Sequence, residues 1–300
     1  MGRILVSGLV NMETTVQVRQ FPINYYPIDY PFFGVQSAVS GVAYNIARAL
    51  TGLQDDVRLL SMVGNDFQAD YICNQLREDG ISTAGISTCL KETASSAVLY
   101  DGAGKRQIYC DLKDVQDRCY DFPENVCQDM DVVVACNINF NRPLLRRAKE
   151  MGKTVATDVH VLSNIYDEYN REFLEYADIL FLSDEAIGDD YKVFLRDLAE
   201  NYGMKIIVLG RGSKGAAMYL RENNEILEYP AVHVGEVVNT VGAGDALFSA
   251  FVHYYAQEKT PQEALKRAQI FASKKIGQSG ASRGFATAEQ MEVLWAQFGD

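Results

Sequence analysis

The sequence predicts an α/β protein built on a mostly parallel sheet, and three observations carry that expectation. From residue 132 onward, short β-branched and aliphatic runs alternate with longer amphipathic stretches, the cadence of successive βα units. The stretch Val237-Val238-Asn239-Thr240-Val241-Gly242-Ala243-Gly244-Asp245 reads as a strand end and a tight turn. It leads into a buried helix, because Leu247, Phe248, Phe251, Val252 and Tyr255 recur at helical spacing. A chain of 300 residues with 48% apolar content suffices for one large α/β domain or two small ones.

From the start, Arg3–Ser7 is a short apolar strand that runs into Gly8-Leu9-Val10-Asn11-Met12-Glu13. A dinucleotide-binding turn needs G-x-G-x-x-G here, and only Gly8 is present. Between Phe21 and Gly34, three prolines and six aromatics fall in fourteen residues, which excludes a helix interior and confines strands to sheet edges. The region 14–39 therefore reads as extended strands of a small sheet that leaves the main body. Its partner is the run 93–109, where Ala97-Val98-Leu99-Tyr100 and Gln107-Ile108-Tyr109 flank Asp101-Gly102-Ala103-Gly104 as a hairpin. Gly104-Lys105 is not a phosphate-binding loop, since Leu99 and Arg106 break the G-x-x-x-x-G-K-[ST] spacing.

Small residues at Ser40-Gly41 open a helix that continues to Leu50, and Asp66 caps another that carries Tyr71, Ile72 and Leu76. Strands over Val132–Ala135, 154–158, 179–182 and 205–209 then alternate with helices near 144–150, 168–176 and 192–202. In such sheets ligands gather beyond the carboxyl ends of the strands, where Asp158, Asp184 and Gly210 fall. Leu209-Gly210-Arg211-Gly212-Ser213-Lys214-Gly215-Ala216 reads as a hairpin turn before the strand Met218-Tyr219-Leu220. Ala264, Leu265, Ala268, Phe271, Ala272 and Ile276 form a helix stripe, and Thr287-Ala288-Glu289-Gln290 opens the last helix as a capping box.

Composition narrows the function. A net charge of -12 argues against nucleic-acid and anionic-membrane partners, which are held by clusters of Lys and Arg. No apolar run approaches the ~20 residues that span a bilayer, and the start goes straight into a strand with no signal-peptide layout, so a soluble, cytoplasmic protein is expected. The six cysteines form no C-x-x-C pair, and with three scattered histidines they make no metal-ligand constellation.

The chemistry concentrates at the turn. Gly242 and Gly244 remove Cβ atoms where it is tightest, which lets backbone amides converge on a ligand. The first amides of a helix lack internal partners and sit at the positive end of its dipole, so the turn suits a phosphate or another developing negative charge. Asp245 in the first helical turn is either a cap or, in a phosphate cradle, a group with a proton to remove.

Asn239-Thr240-Val241-Gly242-Ala243-Gly244-Asp245 closely resembles the Asp-Thr-x-Gly-Ala-Gly-Asp signature of the ribokinase (PfkB-type) family of sugar and nucleoside kinases, with Asn239 where the family usually has Asp. The resemblance implies a ribokinase-like three-layer α/β/α domain over 1–300 with a mostly parallel central sheet, and a small β-sheet lid formed by excursions at about 14–39 and 93–112. It implies ATP and Mg2+ as cofactors, with a monovalent cation as a further candidate. Gly242, Ala243 and Gly244 then form the anion hole, and Asp245 is the base that activates the acceptor hydroxyl.

Other stretches follow the family's order as far as Ala281. Asn11 and Glu13 resemble the opening Gly-x-Ile-Asn-x-Asp whose acid contacts substrate hydroxyls, although Glu13 also reads as a solvated strand-end charge. Gly41 and Asn45 resemble the Gly-Gly-x-x-x-Asn-x-Ala substrate signature, with helix packing as the rival reading for Gly41. Gly210, Arg211, Gly212, Lys214 and Gly215 resemble the nucleotide loop, Lys214 or Arg211 supplying charge. Thr240 and Gly280 complete the nucleotide side, Gln278-Ser279-Gly280-Ala281 being similar to the loop near adenine. Where the family carries Asn-x-x-Glu for magnesium and phosphate, this chain has Asp184-Glu185-Ala186-Ile187, which leaves Asp184 for the nucleotide and Glu185 for the metal through water. Asp158-Val159-His160 stands where Asp-x-Asn often occurs, and its lone histidine reads first as a local hydrogen-bonder. The expected activity is transfer of the γ-phosphate to a hydroxymethyl group of a sugar. A nucleoside acceptor, stacked on Tyr25, Tyr26, Tyr30, Phe32 or Phe33, is the first alternative, although these aromatics equally suit a lid core or the homodimer interface the family often forms there. A catalytically silent sensor on the same fold is the second.

Overall fold

Side-chain alternation along the first strand sets the layers. In β1 (Arg3–Ser7), Ile4 and Val6 enter one apolar core and Leu5 the other, so the strand is covered on both faces. The computed structural model describes residues 1–299; Asp300, the last residue of the expected span, lies outside them. The further strands are β2 (Asn11–Gln17), β3 (Val35–Ser40), β4 (Asp56–Val63), β5 (Ile86–Thr88), β6 (Ser95–Tyr100), β7 (Arg106–Asp111) and β8 (Val132–Ala135). They continue with β9 (Thr154–Val161), β10 (Ile179–Ser183), β11 (Ile206–Gly210), β12 (Ala216–Leu220) and β13 (Glu225–Tyr229). The helices are α1 (Val42–Gly52), α2 (Phe67–Glu78), α3 (Arg142–Glu150), α4 (Arg171–Tyr176), α5 (Tyr191–Asn201), α6 (Ala243–Ala256), α7 (Pro261–Lys275) and α8 (Ala288–Phe298).

Nine strands form one sheet in the order β13-β12-β11-β10-β9-β8-β1-β4-β5, all running the same way except β12, which is antiparallel to both β11 and β13. Helices α1, α2, α6, α7 and α8 bury their apolar faces on one side, and α3, α4 and α5 on the other. A second sheet, β3-β2-β6-β7, is separate. Its hairpin turn is built by Asp101, whose Oδ1 accepts from the amides of Ala103 and Lys105 at 3.0 and 2.9 Å. Asp66 joins the two regions: it caps α2 through the Ala69 amide at 2.9 Å and accepts from the Thr93 amide and hydroxyl at 2.7 Å each. The capping box at Thr287 and Gln290 is present as expected.

Three expectations need correction. Val237 and Val238 do not end a strand; they are 57% and 62% exposed, and the amides of Val238 and Asn239 donate to the Ile276 carbonyl instead. Neither sheet includes them. The region 14–39 is strand only at its two ends, because prolines without N–H groups cannot sustain a ladder through the aromatic stretch. The helix expected over 168–176 begins at Arg171, since the Asp167 carboxylate holds the Asn170 amide in a turn at 2.8 Å.

Candidate active site

Helix α6 begins beside the carboxyl end of the parallel strands, and its first turn is shaped by contact with the chain after α7. Gly242 has φ +78°, and a Cβ there would lie 2.4 Å from the Ala281 carbonyl oxygen. Glycine is therefore required at 242 by both backbone and neighbour. At Gly244 a Cβ would meet no atom within 4 Å. The fold does not need glycine there.

The turn is folded by Asn239, whose Oδ1 accepts from the Val241 amide at 2.8 Å. The amide of Ala243 donates to the Thr240 carbonyl at 3.1 Å, so Ala243 is not a free donor, contrary to its expected part in the anion hole. Among the described residues, the amides of Gly242, Gly244 and Asp245 have no acceptor. The available set thus keeps two of the expected three and gains the amide of Asp245 itself. Thr240 is exposed and contributes its carbonyl to the turn.

Asp245 faces this turn. Its Oδ2 accepts from the Asn45 side-chain amide at 2.7 Å, a bond between α1 and α6 across 200 positions of sequence. Burial pushes the Asp245 carboxyl above the usual carboxylate range; Asn45, His160 and Lys275 hold it back, and Asp158 adds to the rise. A base raised in this way is a better proton acceptor. Glu13 is partly buried and accepts from the Ser40 hydroxyl at 3.2 Å, so it is not a solvated strand-end charge. Burial raises its pKa too, opposed by Ser40 and reinforced by Asp245. Asn11 donates to Ser96 Oγ at 3.0 Å, and the Oδ1 atoms of Asn11 and Asn45 are buried without a protein partner. Gly41 caps α1 with φ +106°, where a Cβ would lie 2.4 Å from the Leu9 carbonyl oxygen, so close packing accounts for it. His160 lies beside Asp158, whose Oδ1 accepts its amide at 2.7 Å.

One residue beside the turn escaped the motif reading. Lys275, the last residue of α7, is 0% exposed and donates from Nζ to the Val241 carbonyl behind the turn. Burial pulls its pKa down to about 8; Asp245 and Glu13 resist the fall and Arg106 assists it. The signal was present: position 275 continues the stripe of Ala268, Phe271 and Ala272 at helical spacing, and a lysine on an apolar stripe is an anomaly.

The expected nucleotide side lies at the carboxyl ends of β10 and β11. Gly210 ends β11, Gly212 to Lys214 form a single helical turn, and Gly215 at φ +94° leads into β12, so the hairpin reading holds. Arg211 is engaged elsewhere: its guanidinium stacks over Tyr191 at 4.1 Å and faces Asp184 and Glu228 at 3.8 Å each. Lys214 is exposed and makes no ion pair among the described residues, so of the two it is the cation available to a phosphate. Gly280 belongs to the loop that packs its Ala281 on Gly242, which brings that stretch to the turn. Glu185 is exposed, and among the described residues no cluster of three or more His, Cys, Asp or Glu could hold a metal. A magnesium ion carried by phosphates needs only one or two carboxylates, and Asp184 and Glu185 fit that lesser demand.

An open helix start with a carboxylate and free amides defines a site for moving charge between an alcohol and an anion. The profile of the pfkB family carbohydrate kinases matches residues 1–288, and the chain belongs to that family. It is 25% identical over 315 aligned positions to an ATP-dependent ribose-1-phosphate kinase of Halopiger xanaduensis, covering 99% of each chain. It is 24% identical to a deoxyribokinase of Salmonella typhi, covering 96% of each. Among solved structures, it matches a microbiome-derived acarbose kinase with TM-score 0.89 at 22% identity over 99% of each chain. It matches a ribokinase of Arabidopsis thaliana complexed with ribose and ATP with TM-score 0.83 at 19% identity over 98% of each. The fold is accordingly ribokinase-like, and the protein is a kinase.

Two substitutions separate folding from catalysis at the turn. Gly242→Ala should lower the melting temperature, since the strained φ alone costs ~1–3 kcal/mol. Gly244→Ala should leave stability unchanged or raise it by up to ~1 kcal/mol, yet reduce kcat, because its methyl group enters space reserved for a ligand. Full turnover in Gly244→Ala would show that no ligand comes close to its Cα. A third measurement addresses Lys275. Its folded pKa of about 8 lies below the ordinary 10.5, so the folded state binds fewer protons than the unfolded state between those values. Stability should therefore rise with pH across that window, by at most ~3 kcal/mol from this group, and the increment should vanish in Lys275→Met when urea midpoints are compared.

Proposed function

We propose that the protein transfers the γ-phosphate of ATP to a hydroxymethyl group of a sugar, with Asp245 as the base and the Gly242–Gly244 turn as the anion hole. The observation that carries this reading is the Asn45-held carboxylate of Asp245 beside the unpaired amides of Gly242, Gly244 and its own residue. The hydroxyl proton passes to Asp245 as the oxygen forms its bond to the γ-phosphorus. The bond from that phosphorus to the β–γ bridging oxygen breaks, and ADP leaves. Charge on the transferring group is met by amides that are already oriented, so the stabilisation requires no reorganisation. Magnesium bound with ATP would neutralise phosphate charge, with Asp184 and Glu185 placed to hold it through water.

The buried, unpartnered oxygens of Asn11 and Asn45, together with Glu13, favour an acceptor rich in hydroxyl donors. The aromatics offered for nucleobase stacking are exposed instead, Phe32 at 83% and Phe33 at 96%, so the sugar reading is preferred to the nucleoside one. ATP consumption across sugars and nucleosides, with and without magnesium, distinguishes these readings and the silent sensor. On a verified acceptor, Asp245→Asn should lower kcat by ~10²–10⁴ while ATP affinity changes little; undiminished turnover would remove Asp245 from the mechanism.

The same reading makes the small sheet a lid and the protein a cytoplasmic homodimer joined through it. Every residue of β7, an edge strand, is exposed, including Ile108 and Tyr109, and Phe32 and Phe33 are exposed beyond β2. The edge of β7 and the stretch before β3 lie on opposite sides of this sheet, and an exposed apolar edge such as that of β7 favours a second copy over water. Light scattering should give twice the chain mass for the native protein and the single mass for Phe33→Asp combined with Ile108→Glu. A native monomer at micromolar concentration would overturn the lid contact. No helix among the described residues is long and apolar enough to cross a membrane.

A further inference from the structure

We propose that Lys275 is a built-in cation of the anion turn, a positioning residue whose ammonium aims the Gly242 amide at the transferring phosphoryl group and replaces a soluble monovalent cation. The inference deepens the kinase reading and rests on it. Its ground is geometric. The Nζ of Lys275 donates to the carbonyl oxygen of Val241, which belongs to the same peptide unit as the N–H of Gly242. That unit is planar and trans, so fixing the oxygen behind the turn directs the N–H to the opposite side, and a cation on the oxygen polarises the N–H into a stronger donor.

In an uninterrupted helix the Val241 carbonyl would accept the Asp245 amide four residues on. Here no such bond forms, and the Asp245 amide is left unpaired at the helix start. Gly242, the left-handed residue that caps the helix, separates Val241 from it, so the Asp245 amide stays free as the first amides of a helix do. On the other side of the same residue, Asn239 takes the Val241 N–H, so Val241 is fixed at both its N–H and its carbonyl.

These contacts do not fit an additional cation behind the turn. The carbonyl there is already satisfied by an ammonium, and Asn239 offers a neutral amide where the related kinases usually carry a carboxylate. The charged groups that face Lys275 are Asp245 on α6, Glu13 on β2 and Arg106 on β7. Two of the three are acids, which oppose the lowering that burial imposes on the ammonium.

The test compares wild type, Lys275→Ala and Lys275→Arg in tetramethylammonium, potassium and ammonium chlorides at equal ionic strength, by melting temperature and by initial rate. Wild type should melt and turn over equally in all three salts. Lys275→Ala should lose ~10²-fold in kcat with a smaller change in the ATP KM. Ammonium, which fits the vacated space, should raise both its rate and its melting temperature above the tetramethylammonium values, and Lys275→Arg should retain more kcat than Lys275→Ala. A wild-type melting temperature or rate raised specifically by potassium would overturn the proposal, as would unchanged kcat in Lys275→Ala. Should that variant not fold, the wild-type salt comparison decides alone. Absence of wild-type turnover on every acceptor would count against the kinase reading, while the melting comparison would still decide for or against the internal cation.

Discussion

The hydrogen bond from Asn45 to Asp245 is the constraint on which the site depends. It joins two helices that pack against each other on one face of the sheet, and it fixes a carboxylate at the start of α6. The helix dipole favours the ionised form there, and burial opposes it. Burial has the larger effect, since the pKa is raised despite Asn45, His160 and Lys275. The outcome is a carboxylate short of solvent and close to other acids, Glu13 and Asp158, held in place by one strong neutral donor. Such a group gains by accepting a proton, which is the property a base requires.

Cations are distributed accordingly. Lys275 lies beneath the turn and Arg106 on the small sheet, while Arg211 is withdrawn into its contacts with Tyr191 and Asp184. An arrangement with every cation at the phosphate would bind the ground state as tightly as the transition state, and uniform binding does not raise kcat. Placing one cation behind a peptide instead strengthens a donor aimed at a single point. Electrostatics is thereby converted into direction.

Much of this was legible in the chain because each strand and cap is a local statement. Arg3–Ser7, Val132–Ala135, the Asp66 cap and the Thr287 box required only apolar runs and side chains that match backbone donors. Val237 and Val238 misled because β propensity cannot tell what the backbone will pair with, and here the amides of Val238 and Asn239 go to the Ile276 carbonyl. The seven-residue turn was recognisable as a unit. Which of its amides stay free was not, since that depends on the Thr240 carbonyl and on the left-handed turn at Gly242. Asn45 was marked as a ligand for hydroxyls, and its donor proves to serve Asp245 while only its oxygen remains for substrate.

That division of one amide between protein and acceptor bears on selectivity. A buried oxygen without a donor costs roughly 1–3 kcal/mol, and the cost is relieved when a ligand hydroxyl reaches it. Asn11 and Asn45 each carry such an oxygen, while their donors are committed to Ser96 and Asp245. An analogue lacking the matching hydroxyl leaves the cost in place, which rejects it more strongly than the loss of apolar contact would. Because Asn45 also holds Asp245, the proposed base, a hydroxyl that reaches its free oxygen and the orientation of that carboxylate would be set by a single side chain. Recognition of the acceptor and readiness of the carboxylate are therefore coupled through that one residue.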